Sequence, residues 1–234
     1  MSSSEPLDIK NYIGLTSDTP IRFIASDVDG TLVNDAKSVD PEVVSAVRAA
    51  RESGIRVAIA SGRAWHEMDD VIDAMPCLRY FVCTNGAYVM DKEGKKELVH
   101  ISFDKTRAID LVRKLMTYGV FVEAYVKAEI FGQYPTVGNE TLQAERFFRP
   151  NIRPFILKTR TMVPDLLAHL ESLPEGPEKI QIFYGDERIR ERILADLRDD
   201  FQGAATDGKG RERFYDVLES SEGNLEFVLP HTTK

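Results

Sequence analysis

The sequence contains little cysteine and no long apolar run. Two of its 234 residues are cysteines, Cys77 and Cys83, and their spacing suits neither a disulfide framework nor a metal site, which predicts reduced thiols. No stretch approaches the roughly 18 apolar residues of a membrane span. The first residues also lack the charged-then-apolar order of a secretory leader. These absences argue against secretion and membrane insertion and predict a cytoplasmic protein.

A surplus of basic charge is also missing. The formal net charge is −8, and lysines and arginines are scattered along the chain. A nucleic-acid partner requires basic side chains clustered on one face, and a membrane surface requires a longer basic tract. We therefore expect neither partner. The hydrophobic fraction of 43% is sufficient for a buried core.

Strand and helix patterns alternate between residues 21 and 88, after a polar and turn-rich segment, 1–20, that we interpret as a flexible terminus. The strands read "RFIAS", "RVAIAS" and "RYFVCT". The first intervening helix has Asp40 at its cap and Pro41 at its first position. This order predicts an α/β fold with a Rossmann-like parallel core sheet, incomplete and of about three strands.

The pattern changes after residue 88. "AYVMDKEGKKELVH" reads as a hairpin with Gly94 in its turn, and further helices and hairpins follow, ending with "RFYDVLESSEGNLEFVL". The pattern over residues 89–230 therefore predicts a separate α+β module inserted into the core, and residues 231–234 are expected to return to the core.

Polar motifs follow the three core strands: "DVDG", "SGR" and "TNG". The carboxyl ends of parallel strands share one edge of a sheet, so these motifs should converge. Asp27 and Asp29 stay ionised there only if a cation compensates them, and Mg²⁺ is the natural candidate. A carboxylate also serves as a nucleophile toward phosphorus, and a second one serves as acid and base.

Each motif by itself is more typical of an ordinary turn than of a site. An EF-hand is excluded because a strand, not a helix, precedes the acids. The combination at three successive strand ends is the specific signal. Gly30 and Gly62 would offer backbone N–H groups to phosphate oxygens, and Ser61 would offer a hydroxyl.

These motifs resemble the haloacid dehalogenase-like phosphatases, in particular the Cof-type (class IIB) branch. The first motif of the family, D-x-D-G-T-L/V, matches residues 27–32, and "ASGR" resembles the second, usually T-G-R. "NGA" at 85–87 follows the third strand, and residues 89–230 resemble the α+β cap domain of the branch. "NLEFVLPHTTK" fits its closing strand, with Lys234 as the lysine of the third motif.

The resemblance implies a Mg²⁺-dependent phosphatase of small phosphorylated metabolites, such as sugar phosphates. Asp27 would be the nucleophile and a metal ligand, and Asp29 the acid and base whose backbone carbonyl also reaches the metal. The implied phosphate ligands are Gly30, Thr31, Ser61, Gly62 and Lys234. Residues implied at the substrate or at the hinge to the cap are Arg63, Asn85 and Gly86.

The sequence departs from the family in one respect, because no fourth motif of the type G-D-x-x-N-D follows the lysine. "YGDER" at 184–188 reads instead as a turn that opens a helix. We therefore expect weak metal binding and impaired activity. We also expect an exposed edge at the first strand that promotes self-association. We further expect this sequence to be a fragment of a longer natural chain. A phosphomutase and a catalytically silent binding or regulatory fragment are the alternatives.

Overall fold

The computed structural model describes residues 20–34, 37–198 and 213–232, which form two β-sheets with helices packed against them. The strands are β1 (Phe23–Ser26), β2 (Arg56–Ala60), β3 (Tyr80–Cys83), β4 (Tyr88–Asp91), β5 (Lys96–His100), β6 (Phe121–Val126), β7 (Glu129–Gln133), β8 (Thr161–Met162), β9 (Lys179–Phe183), β10 (Asp216–Leu218) and β11 (Asn224–Val228). The helices are α1 (Pro41–Glu52), α2 (Asp69–Ala74), α3 (Lys105–Met116), α4 (Glu140–Phe147), α5 (Arg153–Thr159), α6 (Leu166–Ser172) and α7 (Glu187–Asp196).

The first sheet has the order β1-β2-β3-β4-β5. Strands β1, β2 and β3 run parallel, as predicted, and the hairpin of β4 and β5 continues the sheet antiparallel to β3. The sheet thus has five strands instead of about three. The sequence pattern assigns this hairpin to the inserted module, but in the structure a short turn at Thr84–Gly86 brings it back beside β3. The sequence pattern predicts a hairpin without specifying which strand it pairs with.

Strand β1 lies at the edge of this sheet and is exposed. Phe23 and Ile24 are 54% and 38% exposed, so the expectation of an exposed apolar edge is confirmed. Among the described residues, β1 pairs only with β2. An apolar strand with one unpaired side is open to further strand pairing.

The second sheet has the order β10-β11-β9-β6-β7-β8. Its neighbours are antiparallel except β7 and β8. Helices α3, α6 and α7 cover one face through apolar side chains such as Val112, Leu170 and Ile193. The opposite face carries polar side chains toward one end and aromatic ones toward the other, where α4 and α5 pack on Phe121 and Phe183. We call the described residues between 105 and 228 the second-sheet module.

Helix starts follow the sequence signals closely. Asp186 accepts the N–H of Arg188 and opens α7, as "YGDER" predicts. Asp40 stands at the N-cap of α1, but its side chain makes no cap bond and accepts instead from the amide of Asn34 at 2.9 Å. Over the described part of the chain, no helix combines the length and apolarity needed to cross a bilayer.

Candidate active site

The ends of β1 and β2 are joined by a bidentate ion pair between Asp29 and Arg63. The guanidinium of Arg63 donates from Nε to Oδ2 of Asp29 at 2.8 Å and from Nη2 to Oδ1 at 2.7 Å. The end of β3 joins the same place, because the N–H of Asn85 donates to the carbonyl of Ser61 at 3.2 Å. The three predicted strand-end motifs therefore converge.

The carboxylate of Asp29 is held by two cations. Besides Arg63, Lys37 donates to Oδ1 at 2.7 Å. Partial burial by itself would raise the pKa of Asp29, but the hydrogen bonds and charges of Arg63 and Lys37 outweigh it and lower that pKa to about 2. Asp29 is consequently ionised at neutral pH in this arrangement. No motif of the sequence points to Lys37, although it lies eight residues beyond Asp29.

Asp27 follows β1 directly and is half-buried. The chain then turns at Gly30, whose φ of 73° lies in the left-handed region. The carbonyl of Val28 accepts the N–H groups of Thr31, Leu32 and Val33 at 3.3, 3.0 and 3.0 Å. The turn predicted at Gly30 is present, with Thr31 exposed at its tip.

The loop of Ser61, Gly62 and Arg63 is tightly packed. Ser61 is 2% exposed, and its Oγ accepts the N–H of Arg63 at 3.2 Å. A Cβ at Gly62 would lie 2.8 Å from Oδ1 of Asn85, so only glycine fits without displacing that amide. We call residues 61–63 the SGR loop.

The turn after β3 has an unusual backbone. Thr84, Asn85 and Gly86 have φ values of 50°, 55° and 96°, although a β-branched residue such as threonine rarely adopts positive φ. The N–H of Thr84 donates to the carbonyl of Arg63 at 2.9 Å, and this bond helps to hold the conformation. Strain of this kind concentrates at functional sites.

The polar face of the second sheet contacts these loops. Lys179 of β9 donates from Nζ to the carbonyl of Gly62 at 3.0 Å, and Glu226 of β11 accepts from the amide of Asn85 at 3.3 Å. Lys179 and Glu226 lie 3.5 Å apart and are almost fully buried. Sequence reasoning missed both residues. The available signal was a charged residue inside an otherwise apolar strand, which indicates a polar face beneath it.

A second group of missed residues surrounds Arg160, which follows α5. Its guanidinium contacts Glu67, beside the SGR loop, at 2.5 Å and Glu123 of β6 at 3.0 Å. Phe155 of α5 lies against the guanidinium of Arg63, 5.2 Å from ring centre to Cζ. The second-sheet module is therefore bound to the loops at the ends of β2 and β3 by ionic, hydrogen-bond and cation–π contacts.

The donor set at β1 suits a hard cation. Asp27 offers carboxylate oxygens and Asp29 offers its backbone carbonyl, and oxygen ligands of this kind are what Mg²⁺ takes while it keeps several waters. In the described ranges, no cluster of three or more Asp, Glu, His or Cys side chains surrounds a common point. The residues therefore fit a Mg²⁺ ion that is held largely by water. Lys234, expected to bind phosphate, lies outside the described residues.

Comparison with known proteins identifies the family. The sequence model for haloacid dehalogenase-like hydrolases matches residues 24–234. The chain belongs to this family, and the resemblance found in its motifs is confirmed.

Curated relatives agree with this assignment. The chain is 31% identical to phosphatase YwpJ of Bacillus subtilis over 125 residues, which are 53% of this chain and 43% of YwpJ. It is 29% identical to pyridoxal phosphate phosphatase YbhA of Escherichia coli over 115 residues, 49% of this chain and 42% of YbhA. The aligned segments thus span less than half of these two relatives.

Two solved structures share the fold. A haloacid dehalogenase-like hydrolase from Bacteroides thetaiotaomicron superposes with a TM-score of 0.70 at 20% identity and covers 91% of this chain and 73% of its own. A sugar phosphatase of HAD subclass IIB superposes with a TM-score of 0.65 at 14% identity, covering 91% of this chain and 71% of its own.

Proposed function

We propose that this chain is a Mg²⁺-dependent phosphatase of small phosphorylated metabolites of the sugar-phosphate type, acting through an aspartyl-phosphate. The observation that carries the proposal is the contact of three strand-end motifs, seen in the ion pair of Asp29 with Arg63 and the hydrogen bond of Asn85 with Ser61. The family match supports it.

Asp27 is the proposed nucleophile. One of its carboxylate oxygens attacks phosphorus, the bond to the leaving oxygen breaks, and Asp29 gives that oxygen a proton. Water then attacks the aspartyl-phosphate, Asp29 takes a proton from the water, and phosphate leaves with Asp27 restored. When bound, Mg²⁺ offsets negative charge on the phosphoryl oxygens.

The arrangement of Asp29 sets a condition on this cycle. With Arg63 and Lys37 attached, the low pKa of Asp29 keeps it in the form that acts as a base. The acid step requires a proton on Asp29, and the contacts with Arg63 and Lys37 oppose that protonation until these cations turn to the substrate. A phosphoryl group is a suitable new partner for Arg63 and Lys37, since guanidinium and ammonium groups bind phosphate strongly.

Phosphate binding is assigned to the loops around these acids. The proposed ligands are Gly30, Thr31, Ser61, Gly62 and Lys234. The tight packing of Ser61 and Gly62 supports this role, because a fixed hydroxyl and N–H stabilise charge without reorganising. We propose that Arg63, Asn85 and Gly86 contact the substrate or form the hinge to the second-sheet module, which would act as the cap.

Small phosphorylated metabolites are the proposed substrates. The names of the relatives specify pyridoxal phosphate for YbhA and a sugar phosphate for the subclass IIB structure. The net charge of −8 argues against polyanionic partners such as nucleic acid or an anionic membrane. With one carboxylate, from Asp27, and the backbone carbonyl of Asp29 as protein ligands, we further propose that Mg²⁺ binds weakly and turnover is slow.

Self-association is proposed through β1. Ile21 and Phe23 are 44% and 54% exposed along the open edge. Pairing of two such edges would bury apolar side chains and provide hydrogen-bond partners for the unpaired backbone N–H and C=O groups of the edge.

Hydrolysis of p-nitrophenyl phosphate with and without Mg²⁺ tests the proposed function. Wild-type hydrolysis should depend on Mg²⁺, and Asp27→Asn should reduce it at least about 100-fold, because removing a nucleophile costs orders of magnitude. Asp110→Asn, at an exposed acid of α3, is the matched control and should leave the rate unchanged. Undiminished hydrolysis by Asp27→Asn excludes Asp27 as nucleophile. If the wild type shows no hydrolysis and calorimetry detects neither Mg²⁺ nor phosphate binding, the silent module is favoured.

A further inference from the structure

Glu67 joins the SGR loop to the second-sheet module through the two oxygens of one carboxylate. Oε2 accepts the N–H of Ala64, the residue after the loop, at 2.7 Å. Oε1 accepts from Nη1 of Arg160 at 2.5 Å. The side chains of Glu67 and Arg160 are 4% and 3% exposed, so water does not compete for these bonds.

On the loop side, Glu67 makes two contacts with consecutive residues. Its side chain holds the backbone of Ala64, and its backbone carbonyl accepts from Nη1 of Arg63 at 3.1 Å. The side chain of Arg63 also binds Asp29, and the backbone N–H of Arg63 donates to the Oγ of Ser61. A displacement of Glu67 would therefore disturb several contacts of the loop.

On the module side, Arg160 is fixed to the second sheet. Nε and Nη2 donate to the two carboxylate oxygens of Glu123 at 3.0 and 3.1 Å, and Nη2 also contacts the hydroxyl of Tyr125 at 3.2 Å. A guanidinium is planar and binds a carboxylate in a fixed direction. The position of β6 therefore determines where Nη1 meets Glu67.

We propose that Glu67 is a positioning residue that makes the conformation of the SGR loop depend on whether the second-sheet module is seated, that is, in contact with the loop. When the module is seated, Arg160 holds the carboxylate in the orientation that binds Ala64. When the module moves away, Arg160 leaves with Glu123, the carboxylate of Glu67 is hydrated, and the end of the loop is released. The consequence for phosphate binding rests on the proposed function, whereas the coupling itself does not.

Hydrogen exchange of the full chain tests the coupling. Arg160→Lys keeps a positive charge in the buried cluster but loses the planar fork, and it should raise exchange at the amide of Ala64 at least about tenfold. Amides of β2 and β3 should be unchanged, which separates a local effect from general destabilisation. The matched control is Lys158→Met, because Lys158 of α5 pairs with Asp70 at 3.3 Å with both side chains exposed. It should leave exchange at Ala64 unchanged.

A double-mutant cycle supplies the second variant. Glu67→Gln retains a carbonyl oxygen for Ala64 but loses the charge that binds Arg160. If Glu67 is the connection, Arg160→Lys added to Glu67→Gln produces little further change at Ala64. The proposal would be overturned if the effects of the two substitutions on exchange at Ala64 were additive. It would also be overturned if Lys158→Met had an equal effect, or if the exchange changes were confined to the second sheet.

Calorimetry with inorganic phosphate and Mg²⁺ connects the coupling with binding. Arg160→Lys should weaken phosphate binding about tenfold, in line with the exchange at Ala64. Unaltered binding despite altered exchange would overturn the link to phosphate. If the wild type binds no phosphate, the proposed function is refuted, while the exchange experiment still decides whether Glu67 couples the module to the loop.

Discussion

Lys179 of β9 donates a hydrogen bond to the carbonyl of Gly62 at 3.0 Å, so a strand of the second sheet directly contacts the SGR loop. The same ammonium lies 3.9 Å from the ring centre of Tyr125 and 3.5 Å from Glu226. A buried lysine is tolerated only with such partners. This contact makes the stability of the second-sheet module and the geometry of the loop interdependent.

Replacing Lys179 by methionine should destabilise the fold. The change leaves the buried carboxylate of Glu226 without its cation, which typically costs about 3–5 kcal/mol in the free energy of unfolding. Urea denaturation measures it. The double variant Lys179→Met/Glu226→Gln should recover part of the loss, since no unpaired charge remains; a double variant as unstable as the sum of the single ones would contradict this interpretation.

Gly62→Ala should lower the free energy of unfolding by about 1–3 kcal/mol, a typical cost of overpacking. The added Cβ would lie 2.8 Å from Oδ1 of Asn85, and moving that amide disturbs its bond with Glu226. Thermal or chemical unfolding checks the effect. Gly138→Ala is the control, because its nearest neighbouring atom is 4.0 Å away; equal losses in both variants would refute the packing argument.

The ion pair of Asp29 should make stability depend on pH in the acid range. The pKa of this carboxyl is lowered from 3.8 to about 2 in the folded chain, so the charged form stabilises the fold. That contribution is nearly complete above about pH 5 and is lost as pH falls toward about 2. The stability difference between wild type and Asp29→Asn should therefore shrink as pH falls from about 5 to about 3.

Urea unfolding at several pH values measures this difference. Arg63→Lys, which keeps the charge but loses the bidentate geometry, should show a smaller change over the same pH window. A difference between wild type and Asp29→Asn that stays constant down to about pH 3 would contradict the lowered pKa.

The two cysteines should differ in reactivity. Burial, with smaller effects from Glu178 and Glu67, raises the pKa of the Cys83 thiol to about 12. Cys77 is partly exposed. Iodoacetamide at about pH 8 should modify Cys77 in the native protein and spare Cys83, because the thiolate is the reactive form. Mass spectrometry of native and denatured samples measures the modification, and modification of Cys83 at the rate of Cys77 would show that Cys83 is not buried.

Phe23→Lys should reduce self-association. The side chain is 54% exposed on the open edge of β1, and a lysine on an edge strand disfavours pairing with another copy. Light scattering after size-exclusion chromatography compares the variant with wild type over a range of concentrations. Leu142→Lys, at an exposed apolar residue of α4, is the control. Equal reduction by both variants would mean that general surface apolarity, not the β1 edge, drives association.

Much of the site was predictable because its residues stand at strand ends. Strand patterns and turn residues located "DVDG", "SGR" and "TNG", and parallel topology required them to meet, as the bond between Asp29 and Arg63 shows. The roles of Asp27 as nucleophile and of Thr31 and Lys234 in phosphate binding stay predictions. The pairing of the β4–β5 hairpin with β3 was not predictable, since a hairpin pattern does not name its neighbour.

The sequence by itself determined the local chemistry: two acids after an apolar strand, a hydroxyl and glycine after the next, and a turn after the third. The tertiary structure alone decided which distant charges meet them. Glu67, Arg160 and Lys179 are separated along the chain but become almost fully buried neighbours of the SGR loop. The physical reason is that periodicity specifies which residues of an element share a face, whereas the partner of a buried charge depends on how two sheets pack.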